Sequence, residues 1–143
     1  FWRLREEHSA GLKPEGGGWK HDVSVPVSQI ADFIDEATAA VERFHPGCRV
    51  SVFGHVGDGN LHYDVIPGVG EDVPAFIARW MEGSEIVHDI VARYNGSISA
   101  EHGLGRLKTE EARRYKSPLE IATMQAIRQA IDPQRIMNPA VLF

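Results

Sequence analysis

The chain has 143 residues, of which 43% are hydrophobic and 24% charged, a composition typical of a globular domain with a real core. Its formal net charge is -5, and the absence of a basic stripe argues against nucleic acid as a partner. The single cysteine, Cys48, excludes an internal disulfide framework and is typical of a reducing compartment, and no apolar run approaches the roughly 20 residues that a membrane span needs.

Residues 1–19 predict the end of a helix followed by a glycine-rich loop. The chain opens on an amphipathic helical pattern without an initiator methionine, so we expect it to be part of a longer protein. The sequence contains no glycine-rich phosphate loop of the Walker or dinucleotide type. Any nucleotide cofactor is therefore expected to bind mainly to a part of the longer protein outside this sequence.

Residues 20–102 carry the pattern of four short strands and two helices. Alternation of apolar and polar residues indicates the strands, which we place at about 20–27, 49–56, 60–66 and 97–101. Apolar stripes with helical spacing indicate helices over about 28–44 and 73–94. The order strand–helix–strand–strand–helix–strand predicts an α+β fold, a ferredoxin-like βαββαβ antiparallel sheet with both helices on one face. The other face is expected to be open.

Residues 103–143 predict a C-terminal helical segment and a tail. A short charged helix is followed by a longer helix from about Pro118 to Ile131. The tail from Asp132 to Pro139 is then expected to leave the ferredoxin-like domain.

Ionisable side chains from all four predicted strands fall on the open face of the sheet. Side chains alternate across a strand, so the apolar set of each strand belongs under the helices and the polar set on the opposite side. The ionisable residues assigned to the open face are Lys20, Asp22, His55, His62, Asp64 and Glu101. This concentration of ionisable groups predicts a binding or catalytic site.

The hairpin between the second and third strands predicts a metal site. If Asp58 and Gly59 form a two-residue type I′ loop, His55 lies directly opposite His62, with Cβ atoms about 4.5–5.5 Å apart. Two imidazoles at this separation can share one metal ion, and Glu101 can complete a two-histidine, one-carboxylate set. Glu101 belongs to a strand that is not adjacent to the hairpin, so it reaches the ion only through sheet twist or a shifted strand.

The same residues also have ordinary explanations, which stay open at this point. A lone histidine is usually solvated or hydrogen-bonded in the core, and Asp-Gly turns occur in many inert hairpins. His102 is either a general base beside the metal or an ordinary loop histidine. His8, His45 and His88 are expected to be structural or solvated, and His21 is undecided.

Three separated motifs resemble the C-terminal domain of FAD-linked oxidases of the vanillyl-alcohol oxidase type. They are Gly54-His55-Val56-Gly57-Asp58-Gly59-Asn60-Leu61-His62, Ser99-Ala100-Glu101-His102-Gly103-Leu104-Gly105, and Asp132-Pro133 through Asn138-Pro139. The motifs occur in the family's order, and the resemblance covers essentially the whole chain. This flavoprotein family includes D-lactate, glycolate and D-2-hydroxyglutarate dehydrogenases.

The resemblance implies a metal site and a catalytic base. His55, His62 and Glu101 match the family's ligands for a divalent metal ion, usually zinc. His102 matches the base that takes the substrate's hydroxyl proton while the C2 hydrogen leaves as hydride to flavin N5.

The resemblance also implies FAD as the cofactor. Asn60 and Asn138 match residues near the flavin, whereas an N-terminal domain absent from this chain would hold most of the FAD. Residues 103–143 would dock on that domain.

Arg5, Ser9 and Lys20 match the positions that bind the distal carboxylate in D-2-hydroxyglutarate dehydrogenases, so the resemblance favours a dicarboxylate substrate. Cationic side chains on the open side of the sheet suit a dianion, whereas lactate needs one carboxylate partner and an apolar pocket. Asp64 departs from the hydroxyglutarate pattern, which typically has Asn at this position. An ionised Asp64 would repel the substrate carboxylate unless the metal or Lys20 offsets its charge. The identity of the substrate therefore stays open.

The leading hypothesis is an FAD-dependent D-2-hydroxy acid dehydrogenase whose isolated C-terminal fragment is inactive. The alternatives are a D-lactate or glycolate dehydrogenase of the same family and a non-catalytic ferredoxin-like binding domain. The expected partners are the small 2-hydroxy acid, the N-terminal FAD-binding domain, an electron-acceptor protein or quinone, and a second copy in a homodimer. We expect a cytoplasmic or mitochondrial-matrix location, with membrane association only through the electron acceptor.

Overall fold

The computed structural model describes residues 1–141, so the last two residues of the predicted segment 103–143 lie outside the described part of the chain. The chain divides into two compact units, Phe1–Ala100 (unit 1) and Glu101–Phe143 (unit 2). No helix in the described part is both long and apolar enough to cross a bilayer. The helices are α1 (Trp2–Glu6), α2 (His8–Gly11), α3 (Ile30–Phe44), α4 (Val73–Ala78), α5 (Trp80–Arg93), α6 (Thr109–Tyr115) and α7 (Pro118–Ile131).

Unit 1 contains a three-stranded antiparallel sheet within the described residues. Its strands are β1 (Trp19–Ser24), β2 (Arg49–His55) and β3 (Asn60–Ile66). They lie in the order β1-β3-β2, so β3 is central and pairs with both neighbours. The predicted α+β class with an antiparallel sheet is confirmed.

In place of the predicted fourth strand, the described part of the chain has a single isolated bridge. The full ferredoxin-like sheet is therefore not confirmed. Ser97 forms an isolated antiparallel bridge with Ser24, on the edge of β1 that does not pair with β3. The Ser97 hydroxyl donates to the Ser99 carbonyl at 2.9 Å and accepts from the Ser99 N–H at 3.3 Å. Such local side-chain bonds occupy backbone groups that a longer strand would use.

Helices α3 and α5 cover one face of the sheet. Helix α3 buries Phe33, Ala37 and Val41, which recur every four residues and therefore form one stripe. Helix α5 buries Val87 and Val91 with the same spacing. The predicted apolar stripes, and the prediction that these two helical segments cover the same face, are confirmed.

The helix predicted over residues 73–94 is instead broken at Arg79, which separates α4 from α5. The cause is the carbonyl of Phe76, which a continuous helix would pair with the N–H of Trp80. This carbonyl accepts instead from the Trp19 indole N–H at 2.9 Å and from the Arg79 N–H at 3.1 Å. A contact with a distant strand therefore ends α4 at Ala78 and interrupts the predicted helix.

The β2–β3 hairpin turns through four residues rather than the predicted two. Val56–Asp58 form a 3-10 turn, and Gly59 follows in the left-handed region with a φ of 79°. The backbone N–H of Val25 donates to the Gly59 carbonyl at 3.2 Å, and a Cβ at Gly59 would lie 2.1 Å from the Val25 carbonyl oxygen. This close approach to the chain beyond β1 favours the longer loop and requires glycine.

The longer loop changes the register of the hairpin. His55 pairs with Asn60 and Phe53 with His62, so the predicted direct opposition of His55 and His62 is wrong. The register differs from the prediction by two residues. Since side chains in a strand repeat every two residues, both histidines nevertheless stay on the predicted face.

Unit 2 contains α6, α7 and the tail, and the predicted helix from Pro118 to Ile131 is confirmed. A capping box begins α7: the Ser117 hydroxyl accepts from the Glu120 N–H at 3.2 Å, and the Glu120 carboxylate accepts from the Ser117 N–H at 2.8 Å. Pro118 occupies the first helical position, where its fixed φ is favourable.

Trp19 joins β1 to helices α4 and α5 through close contacts with Phe76 and Gly83. Its indole stacks on Phe76 with ring centroids 4.2 Å apart, and a Cβ at Gly83 would lie 2.4 Å from an indole carbon. We expect Gly83→Ala to destabilise the chain by about 1–3 kcal/mol, because the overlap outweighs the helix propensity of alanine. The measurement is urea denaturation.

Gly11→Ala is the matched control, since no atom lies within 4 Å of a Cβ at this helical glycine. We expect it to leave the urea midpoint unchanged or to raise it. A Gly83→Ala variant as stable as Gly11→Ala would contradict the packing described for Trp19.

Candidate functional site

Five of the ionisable residues predicted for the open face belong to unit 1, and they lie on the face of the sheet opposite α3 and α5. Lys20 lies opposite Asp64 and Asp22 lies opposite His62 in the β1–β3 ladder. His55 lies on the same face, on the diagonal from His62. Directly opposed residues have Cβ atoms about 4.5–5.5 Å apart and diagonal neighbours about 7–8 Å. The structure therefore groups five of the six predicted residues on one surface.

The N-terminal helices contact this face, which the sequence predicted to be open. The Arg5 guanidinium donates to His55 Nε2 at 3.2 Å, and His8 Nε2 lies 2.9 Å from the Ser51 hydroxyl oxygen. The His8 ring also packs on Phe53, with ring centroids 4.5 Å apart. The expectation of an open face is therefore wrong where α1 and α2 lie.

His8 is a site residue that the sequence analysis did not select. It lies three residues after Arg5 and one before Ser9, both of which were predicted to bind substrate. Residues three and four apart share one face of a helix, so a continuous helix would place His8 and Ser9 on the side of Arg5. This spacing was the signal that could have identified His8.

A cavity of about 440 Å³ lies between the N-terminal helices and the β2–β3 hairpin. The residues that line it include Arg5, His8, Ser9, His55 and His62. The cavity therefore brings two predicted metal ligands together with two predicted substrate-binding residues. Imidazole and guanidinium groups suit an anion or a metal with anionic ligands.

A second cavity of about 290 Å³ on the same face is lined by Lys20 and Asp64. Asp64 is only 5% exposed, and this burial raises the pKa of its carboxyl group. Electrostatic attraction, mainly from Lys20, opposes this rise in the pKa. Both residues were predicted to bind substrate, and the structure places them directly across from each other.

Asp22 was assigned to this face but not selected as a ligand or catalytic residue. It is 5% exposed, it faces His62 across the β1–β3 ladder, and its carboxylate accepts a hydrogen bond from the Ser99 hydroxyl at 3.3 Å. A carboxylate beside an imidazole either binds the same metal or orients the imidazole. The register that makes them neighbours could not be derived from sequence spacing alone.

The donor chemistry of unit 1 fits a divalent metal ion. Two imidazoles, from His55 and His62, line one cavity, and the Asp22 carboxylate faces His62. Histidine nitrogen and carboxylate oxygen are the donors that zinc accepts in catalytic sites.

Glu101 and His102, the other predicted ligand and the predicted base, are the first residues of unit 2. His102 Nε2 lies 3.5 Å from a carboxylate oxygen of Glu101. The side chains are 40% exposed at Glu101 and 64% at His102, so water reaches both.

The two predicted flavin contacts lie in different units. Asn60 is buried in unit 1, opposite His55 at the start of β3. Asn138 has a left-handed φ of 44° in the tail of unit 2, and its carbonyl accepts from the Arg128 guanidinium at 3.2 Å. The Asp132 carboxylate accepts from the backbone N–H groups of Ile136 and Met137, each at 3.0 Å. Arg128, in the last turn of α7, and Asp132, the residue after the helix, therefore define the shape of the tail.

The remaining histidines of unit 1 belong to the packing of the fold. His21, undecided from the sequence, is 1% exposed on the helical face, where its Nδ1–H donates to the Tyr63 carbonyl at 2.7 Å. His88 is buried against His21, with ring centroids 5.5 Å apart. His45 contacts Glu71 and accepts from the Arg79 guanidinium at 3.1 Å. His45 and His88, which were expected to be structural or solvated, both pack within the fold, whereas His8, for which the same was expected, contacts the site face.

Comparison with known proteins gives matches over the whole length of the chain. The family described as FAD linked oxidases, C-terminal domain, matches residues 1–142. The D-2-hydroxyglutarate dehydrogenase of Stutzerimonas stutzeri (strain A1501) is 37% identical over 143 residues, which are 100% of this chain and 31% of that protein.

Two mitochondrial proteins are similar to the chain over nearly all of its length. The D-2-hydroxyglutarate dehydrogenase of Danio rerio is 38% identical over 143 residues, which are 97% of this chain and 25% of that protein. The corresponding protein of Arabidopsis thaliana is 33% identical over 144 residues, 97% of this chain and 23% of its own length. The chain thus spans less than a third of the length of these relatives.

The burial of Asp64 makes a prediction for stability as a function of pH. Its folded-state pKa lies above the unfolded value, so the carboxyl destabilises the fold increasingly as the pH rises through the folded pKa. We expect Asp64→Asn to raise the melting temperature at about pH 8, and to have less effect near pH 3, below the unfolded pKa of about 3.9, where the carboxyl is mostly protonated in both states. Thermal denaturation at both pH values measures this.

Asp35→Asn, on the exposed side of α3, is the control and should change the melting temperature little at either pH. A stabilisation by Asp64→Asn that is equal at both pH values would show that the charge of Asp64 is not its cause.

Proposed function

The chain belongs to the family of FAD linked oxidase C-terminal domains, and on this premise we propose that it is the substrate- and metal-binding part of an FAD-dependent D-2-hydroxy acid dehydrogenase. The observation that carries the proposal is the cavity that Arg5, Ser9, His55 and His62 line together. FAD, bound mainly by another domain, supplies the acceptor for the substrate's C2 hydride. The isolated chain is therefore expected to be inactive.

A dicarboxylate related to D-2-hydroxyglutarate is the substrate that the charges favour. Lys20 and Asp64 lie two residues along the strands from Asp22 and His62, a distance of about 7 Å. This distance is comparable with the length of a five-carbon dicarboxylate. Arg5 and Lys20 would neutralise the distal carboxylate, with Ser9 as a hydrogen-bond donor. The relatives named above support this class of substrate.

A divalent metal ion, with zinc as the first candidate, would be held by His55, His62 and Glu101. The Ala100 N–H donates to the Asp22 carbonyl at 3.2 Å, so the chain that leads into Glu101 runs along β1. Asp22 is an additional oxygen donor on the same face. A metal here supplies a Lewis acid for the oxygen atoms of a bound 2-hydroxy acid.

His102 would remove the hydroxyl proton of the substrate. Its neighbour Glu101 lies 3.5 Å away and is negatively charged, which stabilises the imidazolium that forms when the proton is taken. The deprotonated oxygen then favours departure of the C2 hydrogen as hydride.

Unit 2 would dock on the flavin-binding domain. Helix α7 and the tail expose the apolar side chains of Leu119, Ile127, Ile131 and Ile136. Exposed apolar surface of this kind is typical of domain interfaces. Asn60 and Asn138 would then lie near the flavin, and the bridge at Ser97 would extend into the fourth strand of a ferredoxin-like sheet.

The dicarboxylate proposal is tested with the full-length protein in steady-state assays. We expect kcat/KM to be higher for D-2-hydroxyglutarate than for D-malate or D-lactate. Lys20→Met should raise KM for D-2-hydroxyglutarate about 10- to 100-fold, because a charge-assisted hydrogen bond is lost, and should leave KM for D-lactate nearly unchanged. Lys116→Met, which removes a lysine from unit 2, is the charge control.

A clear preference for D-lactate or glycolate would remove the dicarboxylate proposal and favour the alternative dehydrogenases of the same family. A loss of activity on every substrate in Lys20→Met would contradict a specific role in binding the distal carboxylate.

The metal proposal is tested by elemental analysis of the full-length protein. We expect about one divalent ion per chain, lost in His62→Ala because one of few protein ligands is removed. His45→Gln, which changes a histidine outside the cavity, should retain the ion. A protein without the ion whose activity survives His62→Ala would exclude the metal, and absence of turnover on all 2-hydroxy acids would favour the non-catalytic binding domain.

A further inference from the structure

The hydrogen bond between Arg5 and His55 occupies the nitrogen that a metal would need. The Arg5 guanidinium lies 3.2 Å from His55 Nε2. Arginine carries only hydrogen-bond donors, so Nε2 accepts with its lone pair and the neutral ring carries its proton on Nδ1. A divalent metal binds the same lone pair of a neutral imidazole. Arg5 and a metal on His55 Nε2 are therefore mutually exclusive.

Arg5 is a positioning residue for His55 in this arrangement. Its bond selects the ring tautomer whose lone pair is on Nε2, the atom that a metal would bind once the guanidinium has left. The guanidinium also lies 5.9 Å from the centroid of the Trp2 ring, a second contact made within α1. Arg5 and His55 both line the 440 Å³ cavity, so a guanidinium that leaves His55 can stay within the same cavity.

We propose that Arg5 and the metal exchange at His55, and that this exchange couples metal binding to substrate binding. Metal binding to Nε2 releases the guanidinium, which then binds a substrate carboxylate in the same cavity. This inference rests on the proposed function. Arg5 thus weakens metal binding in the absence of substrate, and a carboxylate that binds the released Arg5 strengthens it. By linkage, the metal strengthens carboxylate binding by the same factor.

The experiment measures the Zn²⁺ affinity of the full-length, metal-stripped protein by competition with a chromogenic chelator. Arg5→Ala is compared with Arg3→Ala, which removes an equal charge from the same helix. Arg3 is exposed, and its guanidinium lies 3.4 Å from Glu7 rather than at the cavity. We expect Arg5→Ala to bind Zn²⁺ about 3- to 10-fold more tightly than Arg3→Ala, as expected for removal of one competing hydrogen bond. Equal affinities, or weaker binding by Arg5→Ala, would overturn the exchange.

The coupling is measured by repeating the Zn²⁺ titration with glutarate, a dicarboxylate without a hydroxyl group to oxidise. Glutarate is expected to tighten Zn²⁺ binding several-fold in the wild type and in Arg3→Ala, and to have no such effect in Arg5→Ala. An equal effect of glutarate in all three proteins would exclude Arg5 as the link between the two ligands.

His62→Ala separates failure of this inference from failure of the proposed function. If His62→Ala loses Zn²⁺ while Arg5→Ala and Arg3→Ala bind it equally, the metal site stands and the exchange is wrong. If His62→Ala retains full Zn²⁺ affinity, the proposed metal site is wrong and the exchange is overturned with it.

Discussion

The antiparallel pairing of β3 with both β1 and β2 is the interaction on which the rest of the candidate site depends. Leu61 and Tyr63 are buried under the helices, so His62, between them in the strand, has to face the other way. Pairing with β1 then places Asp22 beside His62, and pairing with β2 brings His55 to the same surface. A slip of one residue in β3 would bury the polar set and expose the core.

The faces of the strands and helices could be predicted because apolar periodicity is local information. The remaining differences arise from contacts between distant parts of the chain. The break at Arg79 depends on the Trp19 indole reaching the carbonyl of Phe76, and the hairpin length depends on the close approach of Gly59 to Val25. Neither contact leaves a periodic signal in the sequence, so a continuous helix and a two-residue turn were the natural expectations.

For the candidate site, too, the face of each side chain could be predicted, but the contacts between distant residues could not. Alternation selected the correct face for His55 and His62. Which residues contact these two histidines depends on the register of the strands and on helices α1 and α2, which lie across this face. The spacing of His8 from Arg5 hinted at a shared face, but its contact with Ser51 joins residues 43 positions apart and leaves no local pattern. The hairpin pattern suggested the metal ligands, whereas the flavin contacts of Asn60 and Asn138 came only from the family resemblance, because spacing does not carry reaction chemistry.

The tail of unit 2 has a further consequence for assembly. Its shape is defined by Arg128 and Asp132, which bind backbone groups of the tail as far as Asn138. Each of these hydrogen bonds joins residues at most ten positions apart. The left-handed backbone at Asn138 is therefore supported by short-range contacts within unit 2 itself. A preorganised segment loses little conformational entropy when it binds. Association of unit 2 with a flavin-binding domain would then resemble the docking of two rigid surfaces, rather than folding upon binding.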